Sequence, residues 1–113
     1  MDRTAEVLET LRRQRQRFTH ERIAPSFKGW SRLMQYSFPD IGLFLAVPVT
    51  DGVPGEIIEG KVDGAQVTYE MNSDTFLAID RKELTGMKAF TQKRVKVKAS
   101  MPDLMKLQKL DSV

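Results

Sequence analysis

The chain has 113 residues, 41% of them hydrophobic and 29% charged, with no cysteine and a formal net charge of +3. That size accommodates one domain around a single core, and the composition is that of a folded rather than a disordered protein. No apolar run approaches the roughly 20 residues of a membrane span, and the missing cysteines exclude disulfides and thiolate chemistry.

The small net charge conceals a segregation: residues 1–32 carry a balance of +4, residues 33–80 of −7 and residues 81–113 of +6. The acidic middle weighs against a uniformly basic, nucleic-acid-binding surface, while leaving basic segments to meet an anionic membrane. The opening residues, MDRTAEVLETLRRQRQRF, lack the apolar stretch of a secretory signal, which points to the cytoplasm.

In chain order, Thr4 to Arg17 reads as a helix, with Val7, Leu8, Leu11 and Phe18 along one stripe and charged residues elsewhere. Its acids come early and its arginines late, as the helix dipole prefers. The RRQRQR run reads first as a solvated helix end. Residues 19–29, punctuated by Pro25 and Gly29, leave room for a second short helix. These first 29 residues form a helical N-terminal segment.

From Trp30 the period changes to two. Trp30, Met34, Tyr36 and Phe38 fall on one side of a strand near 31–38, and Pro39-Asp40 turns the chain. Ile41 to Val49 is an almost unbroken apolar run, fit for a central strand, in which Pro48 is expected to weaken pairing. Asp51-Gly52 and Pro54-Gly55 make the next turn. Glu56 to Val62 reads as a third strand, and Asp63-Gly64 as a tight hairpin turn into Val67-Thr68-Tyr69-Glu70-Met71.

Asn72-Ser73-Asp74 supplies cap chemistry for a helix beginning Phe76, Leu77, Ile79. A short helix follows, then a strand in which Arg94, Lys96 and Lys98 alternate with Val95, Val97 and Ala99. Ser100, with Pro102 and Asp103 after it, starts a last helix whose apolar positions run from Leu104 to Leu110. Strands grouped ahead of helices predict an α+β domain: a largely antiparallel, five-stranded sheet with helices on one face.

The catalytic inventory is thin. His20 is the one histidine and no cysteine can join it. Asp80 and Glu83 read as a solvated helix face, and Ser73-Asp74 as a cap rather than a nucleophile. No phosphate loop, nucleophile elbow or metalloprotease motif is present, so no catalytic residue, metal site or cofactor is expected. What stands out is an excess of soft apolar residues: Met34, Met71, Met87, Met101 and Met105 with Phe18, Phe27, Phe44, Phe76 and Phe90. They suit either an ordinary core or an adaptable apolar cavity between sheet and helices.

The order VTYEM, SDTFLAI, KAFTQKRVKVKA, MPDLMKLQKL resembles the sterol carrier protein type-2 domain over residues 30–110, best over 65–110. Its most specific parts are Ser73-Asp74-x-Phe76, Ala89-Phe90 and Met105-Lys106-Leu107-Gln108. The resemblance implies a non-catalytic domain enclosing a tunnel for a hydrophobic ligand such as a sterol, fatty acid, acyl-CoA, isoprenoid or phospholipid. It further implies that Phe76, Leu77, Phe90, Met101, Leu104 and Met105 face the lipid, with Leu84 and Met87 between the two middle helices near the mouth. The ligand's polar head is then expected near Lys82, Lys88, Lys93 or Arg94. The chain departs from the family where Lys93 and Ala99 replace glycines. It also lacks a peroxisomal Ser-Lys-Leu ending, as suits a free-standing prokaryotic-type member. The competing reading is the same fold with a filled core, acting as a homodimerisation or partner-binding module through its N-terminal helix.

Overall fold

The computed structural model describes residues 2–113. Helix α1, Arg3–Arg15, opens on Asp2, whose carboxylate accepts the amide of Ala5 at 2.7 Å, and runs into a 3-10 turn, Gln16–Thr19. Its stripe is spent on the protein's own core: Val7, Leu11 and Phe18 are buried, and α1 lies against α3, Ser73–Asp80. The arginines that follow find partners. Arg12 meets Glu9, Arg13 meets Asp80, Arg15 donates to the carbonyl of Gly55, and Arg17 to that of Leu110. Helix α2 is a single turn, Ala24–Phe27.

The sheet comprises β1 (Arg32–Phe38), β2 (Leu43–Thr50), the two-residue strands β3 (Val53–Pro54) and β4 (Ile58–Glu59), β5 (Val67–Met71) and β6 (Val95–Lys98). Their order is β3-β2-β1-β5-β6, with β4 also on β2. All pairs are antiparallel except β1 with β5. This is the expected α+β class with a mostly antiparallel sheet. Helices α4 (Gly86–Thr91) and α5 (Met101–Leu107), with a closing 3-10 turn Gln108–Ser112, complete it.

Three local expectations are corrected. The polar third strand expected over 56–62 shrinks to β4, and β3 forms ahead of it, because the outer edge of β2 is interrupted at Pro48. The Pro48 carbonyl accepts from Gly55 at 2.7 Å on that side, but proline offers no amide beside it. On the inner side pairing with β1 continues undisturbed, Leu33 opposite Pro48. The turn after β2 is Asp51-Gly52 alone. Both residues have positive φ, 50° and 76°, the requirement of a two-residue turn that matches strand twist. Asp63-Gly64 does not close a hairpin, because β5 pairs with β1 rather than with β4. The intervening chain crosses back to the other side of β1, tied down by Gln35. The Gln35 side chain accepts from Val62 N at 2.8 Å and donates to Leu45 O at 2.9 Å and Gly60 O at 3.3 Å.

The helix after β5 also starts differently from the expectation. Asn72 occupies the cap position without a side-chain bond. The cap comes instead from Asp40, in the turn between β1 and β2. Its carboxylate accepts Ser73 N at 2.9 Å and Ser73 Oγ at 2.6 Å. Partial burial opposes ionisation of Asp40, but the two Ser73 hydrogen bonds outweigh it and hold the carboxyl below its usual range.

Helices α3 and α4 end alike. The amides of Lys82 and Glu83 donate to Ile79 O and Ala78 O, and those of Lys93 and Arg94 to Phe90 O and Ala89 O. Each pair is a Schellman closure. Its pivot requires a left-handed residue, here Lys82 at φ 64° and Lys93 at φ 61°. Lys93 therefore adopts the backbone conformation that a glycine would take there without strain.

Candidate functional site

Between the sheet and α3, α4 and α5 lies a cavity of ≈ 320 Å³. Its floor is the helix-facing side of the two neighbouring strands β5 and β6. Tyr69, Met71, Val95 and Val97 line it, with Tyr36 from β1. Phe76 and Ile79 contribute from α3, Met87 and Phe90 from α4, and Met101, Leu104, Met105 and Leu107 from α5. The strands supply a face because apolar residues alternate with Thr68 and Glu70 in β5 and with the exposed Lys96 and Lys98 in β6.

Of the residues singled out from the sequence, Phe76, Met87, Phe90, Met101, Leu104 and Met105 line this cavity. Leu77 and Leu84 do not. Leu77 is buried in the main core, about 100° around α3 from Phe76. Leu84 lies in the link between α3 and α4, half-buried against the core. The basic residues expected near a ligand head, Lys82, Lys88, Lys93 and Arg94, are exposed and also lie outside the lining. Arg94 turns back to donate to Thr75 Oγ1 at 3.2 Å.

The cavity has two kinds of border. One is apolar and open: Met87, Phe90, Met101 and Met105 are all at least half exposed, at 52%, 50%, 68% and 65%. Such a group of large apolar side chains at a cavity edge is costly in water unless something covers it. The other border is polar. It holds Gln14 and Arg17 from the end of α1 and its 3-10 turn, Gln108 and Asp111 from the C-terminal turn, and the paired rings of Tyr36 and Tyr69. The two tyrosines face each other across the parallel β1–β5 pair, with ring centroids 5.2 Å apart and planes 22° from parallel.

Charge at this border is balanced. The Arg17 guanidinium lies 4.0 Å from Asp111 and donates to Gln14 O at 3.2 Å, Leu110 O at 3.3 Å and Gln14 Oε1 at 3.4 Å. Burial raises the Asp111 carboxyl despite Arg17 and Lys82 nearby. Burial pushes the Tyr36 phenol up to about 12, against the opposing pull of Arg17. Tyr69 is raised by burial, by Tyr36 and by Asp111. Both phenols thus stay neutral hydrogen-bonding groups at ordinary pH. Sequence reasoning missed this border because it needs an N-terminal arginine, two strand tyrosines and a C-terminal aspartate brought together from 94 positions apart (Arg17 to Asp111).

Among the described residues no group of three or more histidines or carboxylates is placed to hold a metal, and no helix is long and apolar enough to cross a membrane.

Comparison with known proteins now adds to the geometry. The family model described as the SCP-2 sterol transfer family matches residues 13–111. A search among curated proteins finds no match. Among solved structures, sterol carrier protein 2-like 2 from Aedes aegypti superposes with a TM-score of 0.69 at 18% identity, covering 94% of this chain and 97% of that one. A sterol carrier protein 2 crystal structure gives 0.67 at 14% identity, covering 95% and 92%. An inverting sec-alkylsulfatase from Pseudomonas sp. gives 0.62 at 21% identity over 78% of this chain. The chain spans only 13% of that enzyme's length. At such identities the superpositions speak for the fold alone, whereas the family model extends over nearly the whole sequence. The chain belongs to the SCP-2 sterol transfer family.

Proposed function

We propose that this protein binds a hydrophobic ligand, without chemical conversion, in the cavity between β5, β6 and α3–α5, and carries it between membranes. The observation that carries the reading is an apolar cavity of ≈ 320 Å³ in a domain of this size, bordered by exposed methionines and a phenylalanine. Left to water, this apolar lining lacks the burial that a ligand would give it, about 25 cal/mol per Å². Filling the cavity with an aliphatic or polycyclic body restores contact with the lining and removes apolar area from water. The flexible thioethers of Met87, Met101 and Met105 fit a ligand without a rigid shape.

The open apolar border, with Lys88 and Lys93 close by in sequence on α4 and its closing turn, supports docking on an anionic membrane for loading and unloading. Cytoplasmic residence accords with this role. The activity of the alkylsulfatase, of whose length this chain spans 13%, is not carried over.

Native mass spectrometry of the protein as purified, followed by solvent extraction, tests the reading. A fatty acid, isoprenoid, sterol or phospholipid near one per chain is expected. A ligand at 100 times its dissociation constant adds about 2.7 kcal/mol, which raises Tm by roughly 10 °C in a domain of this size. A clean apo mass, together with a Tm that no member of a lipid panel raises, overturns the proposal. The filled-core partner-binding module then takes its place.

A further inference from the structure

The polar border of the cavity has a hydrogen-bonding pattern that distinguishes among ligands. Arg17 already donates three hydrogen bonds within the protein and has Asp111 as its counter-charge. A carboxylate ligand would have to share that charge with Asp111, which lies 4.0 Å from it. The Tyr36 and Tyr69 hydroxyls, by contrast, have no hydrogen-bond partner among the described residues. Nor are they sealed away: among the described residues the one buried side-chain polar atom lacking a partner is Arg15 Nε, so both hydroxyls open onto accessible space. Both residues line the cavity and are half-buried. Beside the Gln108 amide, the Asp111 carboxylate and two further N–H groups of Arg17, this border thus holds two adjacent neutral hydroxyls, each able to donate and accept.

We propose that Tyr36 and Tyr69 form the head-group site of the cavity and select an apolar ligand with an uncharged hydroxyl head over the same chain ending in a carboxylate. The inference rests on the cavity binding a hydrophobic ligand. An alcohol head donates to one phenol oxygen and accepts from the other without disturbing the Arg17–Asp111 pair. An ionised carboxylate brings a second negative charge beside Asp111, at a place where burial already works against the Asp111 charge. Burial of both phenols keeps them protonated, so the donors persist through neutral pH. This places the head away from the exposed lysines of α4, and the tail toward Met87, Phe90, Met101 and Met105.

The test compares lauryl alcohol, laurate and dodecane, at neutral pH, as displacers of a fluorescent aliphatic probe from wild-type protein and from the Tyr36→Phe and Tyr69→Phe variants. Both variants keep the ring, its stacking and its volume, and circular dichroism with thermal melting verifies their folding. The alcohol is expected to bind wild type at least fivefold more tightly than laurate. Each variant is expected to lose about fivefold in alcohol affinity, the value of one neutral hydrogen bond. Dodecane affinity should stay unchanged. Laurate binding as tightly as the alcohol, or alcohol affinity unaltered in both variants, overturns the head-group assignment while dodecane binding upholds the cavity. Failure of all three molecules to displace the probe, or of the probe to bind, overturns the cavity reading and this inference with it.

Discussion

The indole Nε1 of Trp30 donates to Asp103 Oδ1 at 2.8 Å, across 73 positions of sequence. The other oxygen of the same carboxylate accepts Arg32 Nε at 2.8 Å, and the Asp103 amide is itself capped by Ser100 Oγ at 3.2 Å. A single buried aspartate thus pins the start of α5, one wall of the cavity, to the start of β1. Burial opposes its charge, but the bonds from Arg32 and Trp30 prevail and hold its carboxyl below the usual range.

Replacing Asp103 with alanine leaves the Trp30 donor and the Arg32 charge without their partner, and should cost about 2–4 kcal/mol in urea unfolding. Asp103→Asn should cost less and change the acid response. The folded carboxyl titrates below its unfolded value of about 3.9, so its contribution is complete above that pH and disappears as pH falls through the folded value. Asp40 acts in the same direction. Wild-type stability should therefore drop steeply below about pH 4, and Asp103→Asn should flatten that drop. Parallel pH profiles for the two proteins would contradict the assignment.

Gly52 allows a close approach as well as a turn. A Cβ there would lie 2.6 Å from the carbonyl oxygen of Phe27, and its φ of 76° is left-handed. Gly52→Ala should destabilise by roughly 2–4 kcal/mol, combining backbone strain with a clash against main chain that cannot swing aside. Gly64, with φ 77° and open space around its Cβ position, is the control: Gly64→Ala should show the strain alone, about 1–2 kcal/mol. Equal losses at the two positions would disprove the clash.

The left-handed lysines that end α3 and α4 make the opposite prediction. Lys93→Gly relieves left-handed strain at an exposed side chain and should stabilise by up to about 1 kcal/mol, even after the extra unfolded-state entropy of glycine. Lys82→Gly should gain less, since Lys82 Nζ donates to Val113 O at 3.3 Å. A lower Tm for Lys93→Gly would rule out strain at that turn.

Stability and ligand binding should separate along the cavity wall. Phe76 is buried at 3% exposure and stacks edge-on with Phe38, ring centroids 5.1 Å apart, so Phe76→Ala should cost about 3–5 kcal/mol. Met105 is 65% exposed, and Met105→Ala should change stability by no more than about 0.5 kcal/mol. The same substitution should weaken aliphatic-probe binding about threefold or more through lost apolar contact. Titration of a fluorescent fatty acid against each variant measures this, and unaltered affinity in Met105→Ala would remove Met105 from the binding surface.

Much of the local order was legible in the chain, although the Asn72 cap and the Asp63-Gly64 turn were not. Alternation from Val67 to Met71 and from Val95 to Ala99 fixed which faces are dry. The Ser100–Asp103 spacing fixed where α5 begins, and the stripe through Val7, Leu11 and Phe18 fixed the buried side of α1. The methionines of α4 and α5 and Phe90 stood out by their softness and number, and the resemblance to the sterol carrier family, not their spacing, implied that they face a ligand. What those surfaces meet depends on long-range packing. Strand pairing is a long-range choice, and it set β5 beside β1 in parallel instead of closing a hairpin at Asp63-Gly64. That choice brought Tyr69 against Tyr36. Leu77 lies in the core and off the cavity, while its neighbour Phe76, also in the core, lines it. Periodicity identifies an apolar face, but two residues on it one step apart point about 100° from each other, and only the neighbouring element determines which of them reaches the cavity.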